Sequence, residues 1–102
     1  MAELHLNAEQ LNELRGILKT HLPPDASVHA FGSRASGIGL KAHSDLDLLV
    51  GGQGKLPLRD LANLREALTE SNLPFSVDIL EARDAEPKFL LRLKRIGLVE
   101  LF

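Results

Sequence analysis

The sequence predicts a mixed α/β domain, a small three- to four-stranded mixed sheet with flanking helices. Three observations lead there. Apolar residues recur at helical spacing from Leu6 to Leu22, from Pro57 to Leu68 and from Pro87 onward. Short runs from Ser27 to Phe31, Asp45 to Val50 and Phe75 to Leu80 alternate or turn wholly apolar, as strands do, and are set off by proline or glycine. The strand-helix-strand order between Asp45 and Leu80 calls for a parallel, right-handed crossover.

The first helix, Leu6 to Leu22, has Asn7 as N-cap, Gln10 three residues on, and Leu6 and Leu11 placed as a hydrophobic staple. Leu11, Leu14, Ile17, Leu18 and Leu22 form its apolar stripe, a scaffold surface. Pro23 and Pro24 stop it, because proline lacks the amide that would continue the ladder. The strand Ser27 to Phe31 ends at Gly32, and Ser33 is placed to cap a short helical turn through Arg34, Ala35 and Ser36. Gly37 to Ser44 shows no period and reads as a surface loop. The strand Asp45 to Val50 closes at Gly51 and Gly52, residues 52–55 turn the chain, and Pro57 suits the first position of a helix with Leu58, Leu61, Leu64 and Leu68 on one face. In the third strand Val77 and Ile79 point one way, Ser76 and Asp78 the other. Pro87 opens a last helix with Phe89, Leu90, Leu93, Ile96 and Leu101 on an apolar side and Lys88, Arg92, Lys94 and Arg95 on a basic one. Ile96, Leu98, Val99, Leu101 and Phe102 crowd in more apolar surface than one helix stripe buries. That predicts a homo- or hetero-oligomer interface, the alternative being a tail folded back onto the sheet.

A chain of 102 residues suits one domain, residues 1–102, with a single core. The absence of cysteine excludes disulfides, thiolate zinc sites and cysteine nucleophiles. No apolar run approaches the ~20 residues of a membrane-spanning helix, and the N-terminus lacks the blocks of a signal peptide, so a cytoplasmic address and no membrane partner are expected. A net charge of -2 and four Phe without Trp or Tyr argue against direct nucleic-acid binding. His5, His21, His29 and His43 lack metal-ligand spacing and read as surface residues.

The chemistry concentrates between Phe31 and Val50. Alternation puts Asp45 and Asp47 on one strand face, roughly 7 Å apart along the chain. Two carboxylates so close repel each other unless a cation compensates, which makes the pair a divalent-metal site. Asp78 on the adjacent parallel strand presents a third carboxylate, with Glu81 and Asp84 as neighbours that a register shift would substitute. Three carboxylates on two strands suit two Mg2+ ions that also bind triphosphate oxygens. Gly32 permits close backbone approach, and Ser33 adds a hydroxyl to the amides of the turn, an arrangement suited to phosphate.

Gly32-Ser33 followed after a gap by Ser44-Asp45-Leu46-Asp47-Leu48 resembles the signature of the minimal nucleotidyltransferases of the DNA polymerase β superfamily, and the order and size of the elements match over the whole chain. The resemblance implies a nucleotidyltransferase fold. It implies that Gly32 and Ser33 bind the nucleotide triphosphate, that Asp45 and Asp47 hold both metals, and that Asp78 binds one metal and helps activate the acceptor hydroxyl. Ser36 stands where many members carry an arginine, which leaves Arg34 or Lys41 to supply that charge. Such proteins act as antitoxins beside HEPN-domain RNase toxins, and some transfer AMP from Mg-ATP to a toxin tyrosine. The implied activity is therefore Mg-ATP-dependent adenylyl transfer with a HEPN toxin as partner. The alternatives are an antitoxin that neutralises by binding alone, and nucleotidyl transfer to a small hydroxyl compound.

Overall fold

A computed structural model describes residues 4–41, 44–52 and 56–101. Helix α1, Ala8–His21, begins at Asn7, whose side chain accepts from the Gln10 amide while the Gln10 side chain accepts from the Asn7 amide, so the reciprocal cap forms as the residues require. Strand β1, Ser27–Phe31, leads through Gly32 into a single turn, α2, Ser33–Ser36. Strand β2, Leu46–Gly51, starts one residue later than the alternation suggests, leaving Asp45 just ahead of it. Helix α3, Leu58–Thr69, strand β3, Val77–Glu81, a 3-10 turn at Ala82–Asp84 and helix α4, Pro87–Ile96, follow, and the chain closes on a two-residue strand β4, Val99–Glu100.

The sheet order is β3-β2-β1-β4, with β2 and β3 parallel and the other pairs antiparallel. Leu46, Leu48 and Val50 of β2 join Val28 and Ala30 of β1 in the core, against Leu14 and Leu18 of α1 and Leu61, Leu64 and Leu68 of α3. Strand alternation then turns Asp47, Leu49 and Asp78 to the opposite face. There α4 contributes Leu93 and an edge-to-face contact of Phe89 with Phe31, centroids 6.0 Å apart. One face of the sheet is thus covered by two helices, and the other in part by one.

Four expectations need correction. Leu58 is 77% exposed, because Pro57 is the N-cap and residue 58 falls outside the arc that meets the sheet. Ser33 does not cap α2: Gly32 occupies that position, and no side chain completes the cap. Leu101 belongs not to α4 but to the tail beyond it. That tail takes the alternative outcome, for Val99 pairs with Ala30, Glu100 with His29, and the Leu101 amide donates to the Val28 carbonyl at 2.8 Å. β1 offered an open edge, and the last residues satisfy it while burying Leu101. Residues 53–55, His43 and Phe102 lie outside the described residues. Among the described residues no helix is long and apolar enough to cross a membrane.

Candidate functional site

The parallel register sets Asp47 directly opposite Asp78, and the antiparallel register sets Asp47 opposite Phe31. Two strand pairings therefore bring the end of β1 and the beginnings of β2 and β3 to one place on the open face. Glu81, the rival third carboxylate, pairs with Val50 on the core side and is buried, so of the two only Asp78 shares a face with Asp47. Asp45 and Asp78 are exposed and Asp47 is half-buried.

Gly32 is fixed by two independent constraints. Its φ of +79° is one that side-chain-bearing residues rarely adopt, and a Cβ there would stand 2.5 Å from Asp47 Oδ2. The turn and the carboxylate are in contact with nothing between them. Ser33 follows half-buried, its carbonyl accepting from the Gly37 amide at 2.7 Å. At the far end of α2, Gly37 repeats the pattern with φ +78° and the His5 ring packed where a side chain would be.

Asp47 holds its proton more tightly than a free aspartate: burial contributes most, then the Asp78 carboxylate, then Asp45. Asp47 thus senses both neighbouring carboxylates across the open face. Among the described residues no three acidic or imidazole groups form a ready-made cation centre. The donor set still fits Mg2+, since carboxylate oxygens are its ligands and it commonly takes one or two of them, completing its shell with substrate phosphates and water.

Arg34, expected at the nucleotide, is buried. It is 7% exposed, with its guanidinium 4.0 Å from the centre of the Phe75 ring, Nε donating to the Ser44 carbonyl at 2.8 Å and Nη1 to the His5 carbonyl at 3.1 Å. The His5 amide returns a bond to the Arg34 carbonyl at 2.7 Å. One planar cation therefore joins the turn after Gly32-Ser33 to the residue preceding Asp45 and to the approach of β3, which carries Asp78. Sequence reasoning missed Phe75 and His5 in this cluster, because no local spacing links residues 5, 34, 44 and 75. The hint that was present is an aromatic residue wedged between Pro74 and a strand. Ser36 is exposed, and its hydroxyl accepts from the Ile38 amide at 3.1 Å.

Among the described residues, one hollow reaches Asp78 and another reaches Gly32. One of about 750 Å3 runs between α3 and the free edge of β3, bordered by Arg65, Thr69, Ser76 and Asp78. The other, about 330 Å3 and mostly apolar, lies between α2 and α4.

Residues 11–99 match the family described as nucleotidyltransferase domain. A relative from Haemophilus influenzae named probable protein adenylyltransferase MntA is 36% identical over 98 residues, spanning 96% of this chain and 84% of the relative. A crystal structure of a toxin-antitoxin with AMP-PNP superposes with a TM-score of 0.70 at 24% identity, covering 90% of this chain and 72% of that one. A tri-AMPylated Shewanella oneidensis HEPN toxin in complex with MNT antitoxin superposes with a TM-score of 0.65 at 21% identity, covering 92% and 70%. At these identities the two structures establish the fold.

Proposed function

This chain belongs to the nucleotidyltransferase domain family, and from that premise we propose that it transfers AMP from Mg-ATP to a hydroxyl, a tyrosine of a HEPN RNase toxin, and serves as that toxin's antitoxin. The observation that carries the reading is the contact of the Gly32 turn with Asp47 in register with Asp78. The named relative is a probable protein adenylyltransferase, and the superposed complexes are toxin-antitoxin pairs, which supports both the reaction and the partner.

In the proposed mechanism Gly32 admits the triphosphate close to the backbone and Ser33 donates its hydroxyl to a phosphate oxygen. Asp45, Asp47 and Asp78 would hold two Mg2+ ions, which when bound neutralise the phosphates and the departing pyrophosphate. Asp78, at the edge nearest the hollow beside β3, takes the proton of the incoming hydroxyl. The hydroxyl oxygen then bonds to the α-phosphorus as the bond to the β-phosphate breaks, and pyrophosphate leaves. A cytoplasmic address, where ATP is abundant, is part of this proposal.

Neutralisation by binding alone is the second reading. It is favoured by Arg34, whose guanidinium is engaged with Phe75, Ser44 and His5, and by Ser36, which brings no charge to the turn. Intact-mass measurement of a co-expressed HEPN partner after incubation with Mg-ATP separates the two. The native chain is expected to add one or more AMP units, and an Asp45→Asn, Asp47→Asn variant none. An unchanged mass with the toxin still neutralised by both would leave only the binding antitoxin.

A further inference from the structure

We propose that a recess at the end of the sheet remote from Asp47 and Asp78, with Glu81 in its wall, binds a monovalent cation of the size of K+. The inference stands apart from the adenylyl-transfer reading. β2 and β3 run parallel, so Val50 and Glu81 lie together near the strand ends, about 10 Å along the sheet from Asp47 and Asp78, with Glu81 on the opposite face from both. Glu81 is 8% exposed, and among the described residues it makes no hydrogen bond and no ion pair. A carboxylate this far withdrawn from water is strongly disfavoured without a donor or a cation, and buried polar groups of native proteins are almost always satisfied.

The size and charge of the recess specify the occupant. Its volume is about 70 Å3, well below the ~300 Å3 of sites for organic ligands and enough for an ion with a water or two. Asp25 lines it beside Glu81, and Arg83 borders it as well. Together these three side chains carry one net negative charge, which a single monovalent cation balances. Asp25 brings a backbone oxygen too: its carbonyl lies 3.3 Å from where a Cβ of Gly52 would stand, so the glycine leaves that wall open. Carboxylate and carbonyl oxygens that replace part of a hydration shell suit K+, whereas Mg2+ demands a near-ideal octahedron and gives up its waters reluctantly. Among the described residues no three acidic or imidazole groups gather here, in keeping with a site for one charge. The cation ties the connection between α1 and β1, through Asp25, to the ends of the two strands that carry Asp47 and Asp78.

The test is thermal unfolding of the full chain without Mg2+, in KCl and in choline chloride at equal ionic strength, choline being too large for the recess. The native chain is expected to melt about 5 °C higher in KCl. Glu81→Gln keeps the shape and removes the charge, and is expected to melt at one temperature in both salts. Asp47→Asn, at the other end of the strands, is expected to keep the full response to K+, which sets the effect apart from the carboxylate cluster. Crystals grown in RbCl give a measurement that needs no variant: an anomalous peak is expected in contact with the Glu81 carboxylate. Equal melting of the native chain in the two salts, a K+ gain that survives Glu81→Gln, or no Rb+ peak at Glu81 would each overturn the site.

Discussion

Arg34 shows how one buried side chain can tie separate segments of the chain together beside a candidate site. A guanidinium offers a planar face and several directed donors at once, and here the face meets Phe75 while two donors end on the carbonyls of Ser44 and His5. Removing it would leave two carbonyls unsatisfied and a gap against an aromatic ring. Arg34→Ala is expected to cost about 2–4 kcal/mol in urea unfolding, from lost hydrogen bonds and the lost cation–π contact together. Arg34→Lys should recover only part of this, because an ammonium cannot stack on Phe75 and reach both carbonyls. Equal stability of Arg34→Ala and the native chain would refute the role. The importance of residue 34 was legible, since it follows Gly32-Ser33 directly, but its direction was not. A position in sequence does not say whether a long cation turns toward solvent or inward, and that choice depends on a ring 41 residues further on.

At the scale of elements, the site is a product of strand register. β2 alone places Asp47 on a face; pairing with β3 brings Asp78 level with it, and pairing with β1 brings Gly32 against it. The last strand shows the same logic. Two residues suffice for β4 because the Leu101 amide donates to Val28 and the Leu101 side chain is buried. Leu101→Ala is expected to destabilise by about 2 kcal/mol, and Leu101→Pro by more, since proline also removes the donor. Thermal unfolding of the two variants checks the order; a proline variant no worse than the alanine variant would show that the pairing contributes nothing. The tail's apolar content was visible in the sequence, yet whether it meets its own sheet or another molecule depends on an open edge at β1, which no single segment reveals.

For the molecule as a whole, the Asp47 carboxylate is a cost to stability that the fold carries on its open face. The folded pKa of Asp47 lies above its ordinary 3.8, first through burial and then through Asp78 and Asp45, so the native state binds this proton more tightly than the unfolded chain does. The contribution of Asp47 is therefore unfavourable at neutral pH, and it is relieved as pH falls through the folded pKa toward 3.8. Asp47→Asn is expected to melt above the native chain at neutral pH without Mg2+. The gap should narrow as the pH falls through that range, and Mg2+ should narrow it at neutral pH. A variant melting at or below the native temperature at neutral pH would contradict this ledger of charges.

Sequence alone determined what depends on neighbours along the chain: the capped first helix, the strand of Ser27–Phe31, the proline that opens α4, the turn at Gly32 and the alternation that sets Asp47 apart from Leu46 and Leu48. Each follows from backbone conformation, capping or alternation, whose range is a few residues. Tertiary structure decided what depends on distant partners: Asp78 rather than Glu81 opposite Asp47, Arg34 inward on Phe75, and the tail as the fourth strand of the sheet. Those outcomes are set by pairing register and by which surfaces remain to be covered once the core of α1, α3 and the sheet has closed, and that competition exists only in the folded chain.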